Sequence, residues 1–233
     1  MTANRKEELA AELQRTREQI SEFAEKFDRA VPQLLPVTKF YPAVDIKLLH
    51  ELGIEDVGEN REQEARAKAA ELPMVRFHMI GQIQSKKANH VARWASSVHS
   101  LDSVKLANGL ERGVGLAKDR GQRSSNLPVF IQYSADADTQ RGGAAPRDIP
   151  ELVEVVEEAE HLDLAGFMVV PPLAADAREV FERVRRLCDD YANRLRRDLL
   201  LSAGMSADLE SAIAAGTDIV RVGTGIMGPR PVG

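Results

Sequence analysis

The chain has 233 residues, a length that suits one sizeable hydrophobic core or a single small (β/α)8 barrel. Its hydrophobic share of 43% and charged share of 29% are those of a soluble globular protein, which excludes disordered and collagen-like classes. The net charge of −5 comes from 31 basic and 36 acidic residues spread along the chain, so no basic block indicates a nucleic-acid or anionic-membrane partner. Cys188 is the single cysteine, which excludes an internal disulfide and a cysteine-rich metal cluster.

The N-terminus runs into charged residues from Arg5 onward with no apolar signal core, and no later apolar run is long enough to span a bilayer. We therefore expect a cytoplasmic protein without a membrane partner. Residues 4–27 carry apolar side chains at helical spacing, which predicts an amphipathic helix leading into the first strand. Residues 1–30 would pack on the domain that the rest of the chain forms.

Apolar runs alternate with helical patterns over the remainder of the chain. We predict strands near residues 34–40, 56–59, 76–80, 97–101, 129–133, 164–169, 199–202 and 219–222. Helices are predicted between them at residues 45–52, 62–72, 86–94, 103–118, 149–160, 176–196 and 206–215.

A helix between each neighbouring pair of strands indicates parallel βαβ units, and eight such units are what a closed barrel requires. The predicted fold is therefore an α/β single-domain (β/α)8 TIM-type barrel over residues 1–233, with a doubly wound open sheet as the alternative. Proline disrupts a sheet interior, so we expect the well-paired part of the first strand to begin after Pro36.

Lys39 stands near the end of the first apolar run, close to Val37 and Phe40. A desolvated lysine has a lowered pKa and a nucleophilic amine that can form a Schiff base with a carbonyl. Most lysines at strand ends are solvated, so this residue alone does not decide between a snorkelling side chain and a reactive one.

The ends of the seventh and eighth strands carry the strongest physical signal, because the active face of a barrel lies at the C-terminal ends of its strands. Ser206 directly precedes a helical pattern and is predicted to be its N-cap, where the helix start would attract an anion. Gly223, Thr224 and Gly225 form a predicted turn whose backbone N–H groups can approach a phosphate closely. A phosphate is the expected ligand, although a Gly-x-Gly pattern alone also fits a plain turn.

Three further features have both a structural and a functional interpretation. Arg221 lies within an apolar strand, where its guanidinium needs Glu59, a ligand or both as partners. His78 lies among apolar residues, where a hydrogen-bonded core histidine is commoner than a catalyst or metal ligand. Residues 134–147 follow the fifth strand and fit either a lid or a solvated loop. The other histidines have no paired spacing with carboxylates or cysteine, which predicts no metal site.

Five motifs together resemble those of the pyridoxal phosphate (PLP) homeostasis protein family of the YggS/PROSC type. They span nearly the whole chain and are Val37-Thr38-Lys39, Gly58-Glu59-Asn60-Arg61-Glu62-Gln63-Glu64, His78-Met79-Ile80-Gly81-Gln82-Ile83-Gln84-Ser85-Lys86-Lys87, Ser202-Ala203-Gly204-Met205-Ser206-Ala207-Asp208-Leu209 and Val220-Arg221-Val222-Gly223-Thr224. The sequence departs from the usual family residues at Lys86, at Ala203 and at residues 132–134.

The resemblance implies a barrel like the PLP-binding domain of alanine racemase, with PLP held as a Schiff base on Lys39. By matching positions, Ser206, Gly223 and Thr224 would hold the phosphate. Arg221 would face the pyridine nitrogen, where it disfavours ring protonation and weakens the cofactor as an electron sink. Three further positions match motifs that line the pocket in the family: Asn60, His78 and Gly81.

The resemblance also implies a function, namely binding, buffering and delivering PLP in vitamin B6 homeostasis, by a monomer that contacts apo-PLP enzymes transiently. The alternatives are a PLP-dependent amino-acid racemase-like enzyme and a barrel that binds another phosphorylated metabolite, with Lys39 as a charge partner. Racemisation needs acid/base groups on both faces of the α-carbon, and in alanine racemases one is a tyrosine from a second domain. The chain ends at Gly233, so we expect no such domain and favour a carrier without turnover. Tyr41 and Tyr133, near strand ends, leave weak activity open.

Overall fold

The computed structural model describes residues 2–136 and 142–229, in which every predicted strand and helix overlaps an observed one. The strands are β1 (Gln33–Pro36), β2 (Asp56–Glu59), β3 (Arg76–Met79), β4 (Ser97–Leu101), β5 (Leu127–Tyr133), β6 (Leu162–Val169), β7 (Leu200–Ser202) and β8 (Ile219–Val222). The helices are α1 (Thr2–Lys26), α2 (Ala43–Glu51), α3 (Glu62–Glu71), α4 (Ala88–Trp94), α5 (Val104–Asp119), α6 (Ile149–Glu157), α7 (Ala177–Leu195), α8 (Leu209–Ala214) and α9 (Thr224–Met227).

The strands form one sheet in the order β1-β8-β7-β6-β5-β4-β3-β2, and all neighbouring pairs are parallel. The gap between β1 and β2 is closed by a parallel bridge between Val37 and Gly58. There the Thr38 N–H donates to the Gly58 carbonyl at 3.0 Å. The predicted (β/α)8 barrel is thus confirmed. The open-sheet alternative is wrong, because a doubly wound sheet would leave both edge strands unpaired.

The first strand is paired up to Pro36 rather than after it, so that part of the strand prediction is wrong. β1 pairs with β8 from Gln33 to Pro36, and the N–H groups of Gln33 and Val37 donate to the carbonyls of Asp218 and Val222. Because a strand between parallel neighbours donates alternately to its two sides, the nitrogen of Pro36 faces β2. The bridge to β2 does not use that nitrogen, so the missing N–H costs no ladder bond.

The barrel interior is filled by an apolar cluster drawn from four strands. Leu35, Phe130, Met168 and Ile219 are buried together, and no helix residue belongs to their cluster. The alternate strand residues pack outward on the helices, as the period of two along a strand requires. The same interior also holds the buried polar side chains of Arg221, Ser202 and His99, and the His99 ring stacks on Phe130.

Helix α1 covers the β8 side of the barrel. Its Ile20 and Ala24 are buried with residues of α8 and β8. Near its start, Arg5 donates to Asp45 Oδ2 at 3.0 Å and to the Met227 carbonyl at 2.9 Å. Among the described residues, no helix is long and apolar enough to cross a membrane.

Candidate functional site

A cavity of about 270 Å³ opens at the C-terminal ends of β2, β3, β5 and β6. Its polar lining includes Asn60 and Gly81 from the predicted site, together with Gln82, Gln132, Tyr133 and Ser134. The Ser134 hydroxyl is buried and has no hydrogen-bond partner within the described part of the chain. A buried hydroxyl of this kind is costly unless a ligand or water satisfies it, which supports a ligand site at this mouth.

Lys39 lies at the same end of the barrel, in the turn that follows β1. The Tyr41 N–H donates to the Thr38 carbonyl at 3.1 Å, so Lys39 is the second residue of a four-residue turn. Phe40, the third residue, has a φ of +73°, which is the left-handed region that favours glycine. The Lys39 side chain is half-buried, and its ammonium lies 5.9 Å from the centroid of the Phe40 ring. The turn therefore presents Lys39 from a fixed and uncommon backbone conformation.

The tyrosine that ends this turn, Tyr41, uses its hydroxyl in hydrogen bonds to the backbone. The Tyr41 hydroxyl lies 2.6 Å from the Gly228 carbonyl and 3.0 Å from the Pro229 carbonyl, and the residue is buried. Of the two tyrosines that sequence analysis places near the mouth, Tyr133 is the one that lines the cavity.

The buried carboxylate of Glu59 does not pair with Arg221, so that proposed partnership is wrong. Glu59 Oε1 instead accepts from Lys68 Nζ at 2.8 Å and from the Thr38 hydroxyl at 2.6 Å. Burial raises the pKa of Glu59, although the charge of Lys68 opposes this shift. Strand β2 presents Glu59 to α3 and the β1 side, which places it away from β8.

Arg221 points into the barrel and is buried. Its guanidinium donates to Ser202 Oγ at 2.7 Å and to the Val169 carbonyl at 2.9 Å. Burial lowers its pKa to about 10, which leaves the group charged at neutral pH. Ser202 Oγ also lies 2.9 Å from His99 Nδ1. Since arginine can only donate, the hydroxyl hydrogen of Ser202 is free to bond His99, which fits a neutral imidazole.

Helix α8 begins at Leu209 with Asp208 at its N-cap, so the prediction that Ser206 caps this helix is wrong. Asp208 Oδ1 accepts from the Met205 N–H at 2.5 Å, which closes a turn and delays the helix. Ser206 is consequently exposed on that turn. A Cβ atom at Gly225 would lie 3.4 Å from the Ser206 hydroxyl oxygen, so the two predicted phosphate segments do meet.

The segment after β8 forms the short helix α9, which sequence analysis treats as a turn. The N–H groups of Ile226 and Met227 donate to the Gly223 carbonyl. The helix offers no acceptor to the N–H groups of Thr224 and Gly225, because the first N–H groups of a helix have none within it. A Cβ atom at Gly223 would lie 3.6 Å from the Cβ atom of Val37, so this turn adjoins the end of β1.

His78 does not join the residues at the rim. Its Nε2 lies 2.7 Å from Asp56 Oδ1 and its Nδ1 lies 2.7 Å from Ser97 Oγ. Both partners stand at the first residue of their strands, which is the opposite end of the barrel from the mouth. These bonds favour the core-histidine interpretation. A cofactor role for His78 stays a prediction.

Gly81 is packed directly against Asn60. A Cβ atom at Gly81 would lie 2.2 Å from the Asn60 carbonyl oxygen and 2.6 Å from its Cα atom, so no other residue fits without a backbone shift. The two predicted site residues are therefore brought together, and both line the cavity.

Two expectations concern features that the structure does not decide. The suggested lid includes residues 137–141, which lie outside the described residues, so the lid stays a prediction. Within residues 2–136 and 142–229, no group of three or more histidine, cysteine or acidic side chains could hold a metal ion.

Several residues of the site were not predicted from sequence. Ser202 and His99 meet across 103 positions, a contact that no local pattern indicates. Lys68 had a weak signal, because it lies three residues after buried Ala65 and four before buried Leu72 on α3. That spacing places it on the packed face of the helix.

Comparison with known proteins identifies the family to which the chain belongs. A family model described as alanine racemase, N-terminal domain, matches residues 11–231. The pyridoxal phosphate homeostasis protein of Corynebacterium glutamicum is 54% identical over 201 residues, which cover 86% of this chain and 91% of that protein.

Solved structures agree with this relationship. PipY of Synechococcus elongatus PCC7942, solved with PLP bound, is 30% identical and has a TM-score of 0.80, covering 94% of this chain and 100% of PipY. Alanine racemase from a Streptomyces lavendulae strain has a TM-score of 0.73 at 15% identity and covers 97% of this chain and 58% of that one, which shows a shared fold. The chain therefore belongs to the pyridoxal phosphate homeostasis protein family.

Proposed function

We propose that this chain binds PLP through Lys39 and acts in intracellular PLP homeostasis by holding and delivering the cofactor. The observation that carries the proposal is the meeting of two turns at one end of the barrel. Gly223 packs against Val37, two residues before Lys39, so the lysine and the phosphate segment adjoin each other. PipY, a solved relative, binds PLP on the same fold, and this supports the proposal.

The residues of the second turn fit a phosphate group. Thr224 and Gly225 offer backbone N–H groups that α9 does not use, and the Ser206 hydroxyl is exposed beside them. A Cβ atom at Gly225 would lie 3.4 Å from Ser206 Oγ and 3.0 Å from Val222 Cγ1. Glycine at this position therefore leaves space between the Ser206 hydroxyl and the start of α9. Backbone donors and a hydroxyl at a helix start are suitable ligands for an anion.

Lys39 would hold PLP through its amine, and the bound cofactor would supply the aldehyde for a Schiff base, with loss of water. The chain's own contribution is to fix the amine, to hold the phosphate and to place a charged arginine, Arg221, within the barrel. A permanent cation near the ring nitrogen disfavours protonation of that nitrogen. This arrangement suits retention of the cofactor better than carbanion chemistry, which needs an electron sink.

The carrier role without turnover is favoured over a racemase-like enzyme. Racemisation needs two acid/base groups, one on each face of the α-carbon. Tyr41 has its hydroxyl at two backbone carbonyls, which leaves Tyr133 as the tyrosine that lines the cavity. We further propose that the protein acts as a monomer and contacts apo-PLP enzymes transiently.

The test is the visible absorption spectrum of the purified protein after incubation with PLP, before and after borohydride, compared with Lys39→Ala. We expect a band near that of a lysine–PLP adduct in the wild type, lost on reduction and absent from Lys39→Ala. Lys47→Ala, which removes an exposed lysine of α2, is the matched control and should retain the band. A wild-type protein that stays colourless would contradict the proposal and favour a barrel for another phosphorylated metabolite. Turnover of amino acids by the coloured protein would contradict the carrier role.

A further inference from the structure

Lys68, in the middle of α3, is a lysine buried to 6% exposure, which is rare for this residue type. Its ammonium donates to the Thr38 carbonyl at 3.1 Å, to Glu59 Oε1 at 2.8 Å and to Glu64 Oε1 at 2.7 Å. A lysine ammonium has three N–H donors, so all of them are used.

The acceptors of Lys68 lie on both sides of Lys39. On one side are the Thr38 carbonyl itself and Glu59, which also accepts from the Thr38 hydroxyl at 2.6 Å. On the other side is Glu64, whose Oε1 accepts from the Phe40 N–H at 2.9 Å. One buried ammonium therefore fixes the residue before Lys39 and the residue after it.

The backbone at this point needs such support. Phe40 has a φ of +73°, a value that non-glycine residues adopt only where surrounding structure holds them. Without the ammonium, the carboxylates of the buried Glu59 and the half-buried Glu64 would lie near each other with no cation between them and would repel each other. The Phe40 N–H and the Thr38 hydroxyl would then lose acceptors that are fixed in place.

We propose that Lys68 is a positioning residue, which clamps the turn of residues 38–41 so that the Lys39 amine faces the cofactor's aldehyde. The inference rests on the proposed function, because it names how that site holds its reactive group. Lys68 forms no bond to PLP. It acts through Glu59 and Glu64 on the backbone that carries Lys39.

The test compares covalent and non-covalent binding of PLP. Lys68→Met keeps an unbranched side chain up to Cε and removes the ammonium with its donors, and Lys47→Met makes the same change at an exposed lysine. We expect Lys68→Met to form the borohydride-reducible adduct about tenfold or more slowly, because small displacements of a reacting group have large rate effects. Lys47→Met should react at the wild-type rate.

The affinity for PLP in the absence of the covalent bond separates a positioning role from a general structural one. A positioning residue should leave this affinity unchanged. We expect Lys39→Ala and the double variant Lys39→Ala/Lys68→Met to bind PLP with affinities within about twofold of each other, because the residues expected to hold the phosphate follow β7 and β8, whereas Lys68 lies on α3. If Lys68→Met does not fold, the pair Lys68→Met/Glu59→Gln removes both buried charges and takes its place.

The outcomes are distinguishable. An adduct formed at the wild-type rate by Lys68→Met would overturn the inference. A parallel fall in adduct rate and in non-covalent affinity would also overturn it, because Lys68 would then support the fold as a whole. A wild-type protein that forms no adduct on Lys39 would instead overturn the proposed function itself.

Discussion

The turn after β1 and the turn after β8 adjoin each other at the mouth of the barrel, but their polar groups are satisfied in opposite ways. In the first, the Thr38 hydroxyl, the Thr38 carbonyl and the Phe40 N–H all bond to charged side chains, of which Glu59 and Lys68 are buried and Glu64 is half-buried. In the second, the N–H groups of Thr224 and Gly225 have no acceptor within α9. The first turn fixes the backbone that carries Lys39, and we propose that the second offers its donors to the phosphate of PLP.

The supports beneath the two turns differ as well. The β1 turn rests on a buried ion pair, in which Lys68 bonds Glu59 and Glu64. The β8 turn follows Arg221, whose guanidinium is held by Ser202, which in turn contacts His99. On the β1 side of the mouth, ion pairs of Lys68 with Glu59 and Glu64 support the turn. On the β8 side, the support is a series of hydrogen bonds from Arg221 to the neutral Ser202 and from Ser202 to His99. Substitutions on the two sides should therefore have different consequences.

The largest expected effect is on the β1 side. Lys68→Met leaves buried carboxylates without their cation and should lower the free energy of unfolding by about 3–5 kcal/mol. Adding Glu59→Gln should recover part of this loss, because it removes a charge that has become unpaired. Urea denaturation followed by circular dichroism measures both, and Lys47→Met is the exposed control, expected within about 0.5 kcal/mol of the wild type. Equal stability of Lys68→Met and wild type would show that the ion pair is not structural.

The same substitution in the two turns gives the sharpest comparison. Thr38→Val removes a buried hydroxyl that donates to Glu59, and should destabilise the protein by about 1.5–3 kcal/mol. Thr224→Val removes an exposed hydroxyl, so its stability should stay within about 0.5 kcal/mol of the wild type.

The two threonine turns should also differ in their effect on the affinity for PLP. Thr224→Val keeps the backbone N–H but removes the hydroxyl, which we expect to bond the phosphate as well; PLP binding should weaken about tenfold, since a hydrogen bond to a charged group is worth roughly that factor or more. Fluorescence titration of each variant, made also in the Lys39→Ala background, measures it. Equal stability losses in the two threonine variants would contradict the assigned difference between the turns.

A smaller effect, dependent on pH, is expected beneath the β8 turn. Burial, followed by the charges of His78 and Arg221, holds the pKa of His99 well below 6.5. The unfolded chain therefore binds a proton that the folded chain does not, and stability is lost as the pH falls below 6.5. The loss should be about 1.4 kcal/mol per pH unit from this group.

The measurement is the free energy of unfolding between pH 7 and pH 5 for wild type and His99→Asn. The slope of the wild type should exceed that of the variant over this interval, because asparagine does not titrate. Glu59 and Asp102 have raised pKa values and contribute in the opposite direction, but they do so in both proteins. Identical slopes would mean that His99 is protonated in the fold.

The fold was predictable because its information is local. Alternating strand and helix patterns predict eight parallel units, and the position of Lys39 after β1 follows from that order. The paired part of β1 was misplaced because Pro36 was expected to cost a hydrogen bond of the sheet. That cost depends on which neighbouring strand the Pro36 nitrogen faces, which the sequence does not show. Only the pairing with β8 and the single bridge to β2 show that no hydrogen bond is lost.

The supports of the site were not predictable, because they depend on contacts between distant elements. Lys68 lies in α3, whose many charged residues are typical of a solvated helix. Its burial results from the packing of α3 beside Thr38, which the sequence pattern does not indicate. The false N-cap at Ser206 has a local cause, since the Asp208 carboxylate accepts from the Met205 N–H and closes a turn over Ser206, so that the helix begins only at Leu209. Serine and aspartate are both good caps, so sequence alone did not separate them.

The most direct test of the account is the position of the covalent adduct. PLP-loaded protein would be reduced with borohydride, digested and mapped by peptide mass, with Lys47→Met as a control for reaction at exposed lysines. We predict that the pyridoxyl mass lies on the peptide containing Lys39, at a stoichiometry that other lysines do not approach. A label spread over exposed lysines, with Lys39 unmodified, would contradict the central claim that the β1 turn presents the residue that holds PLP.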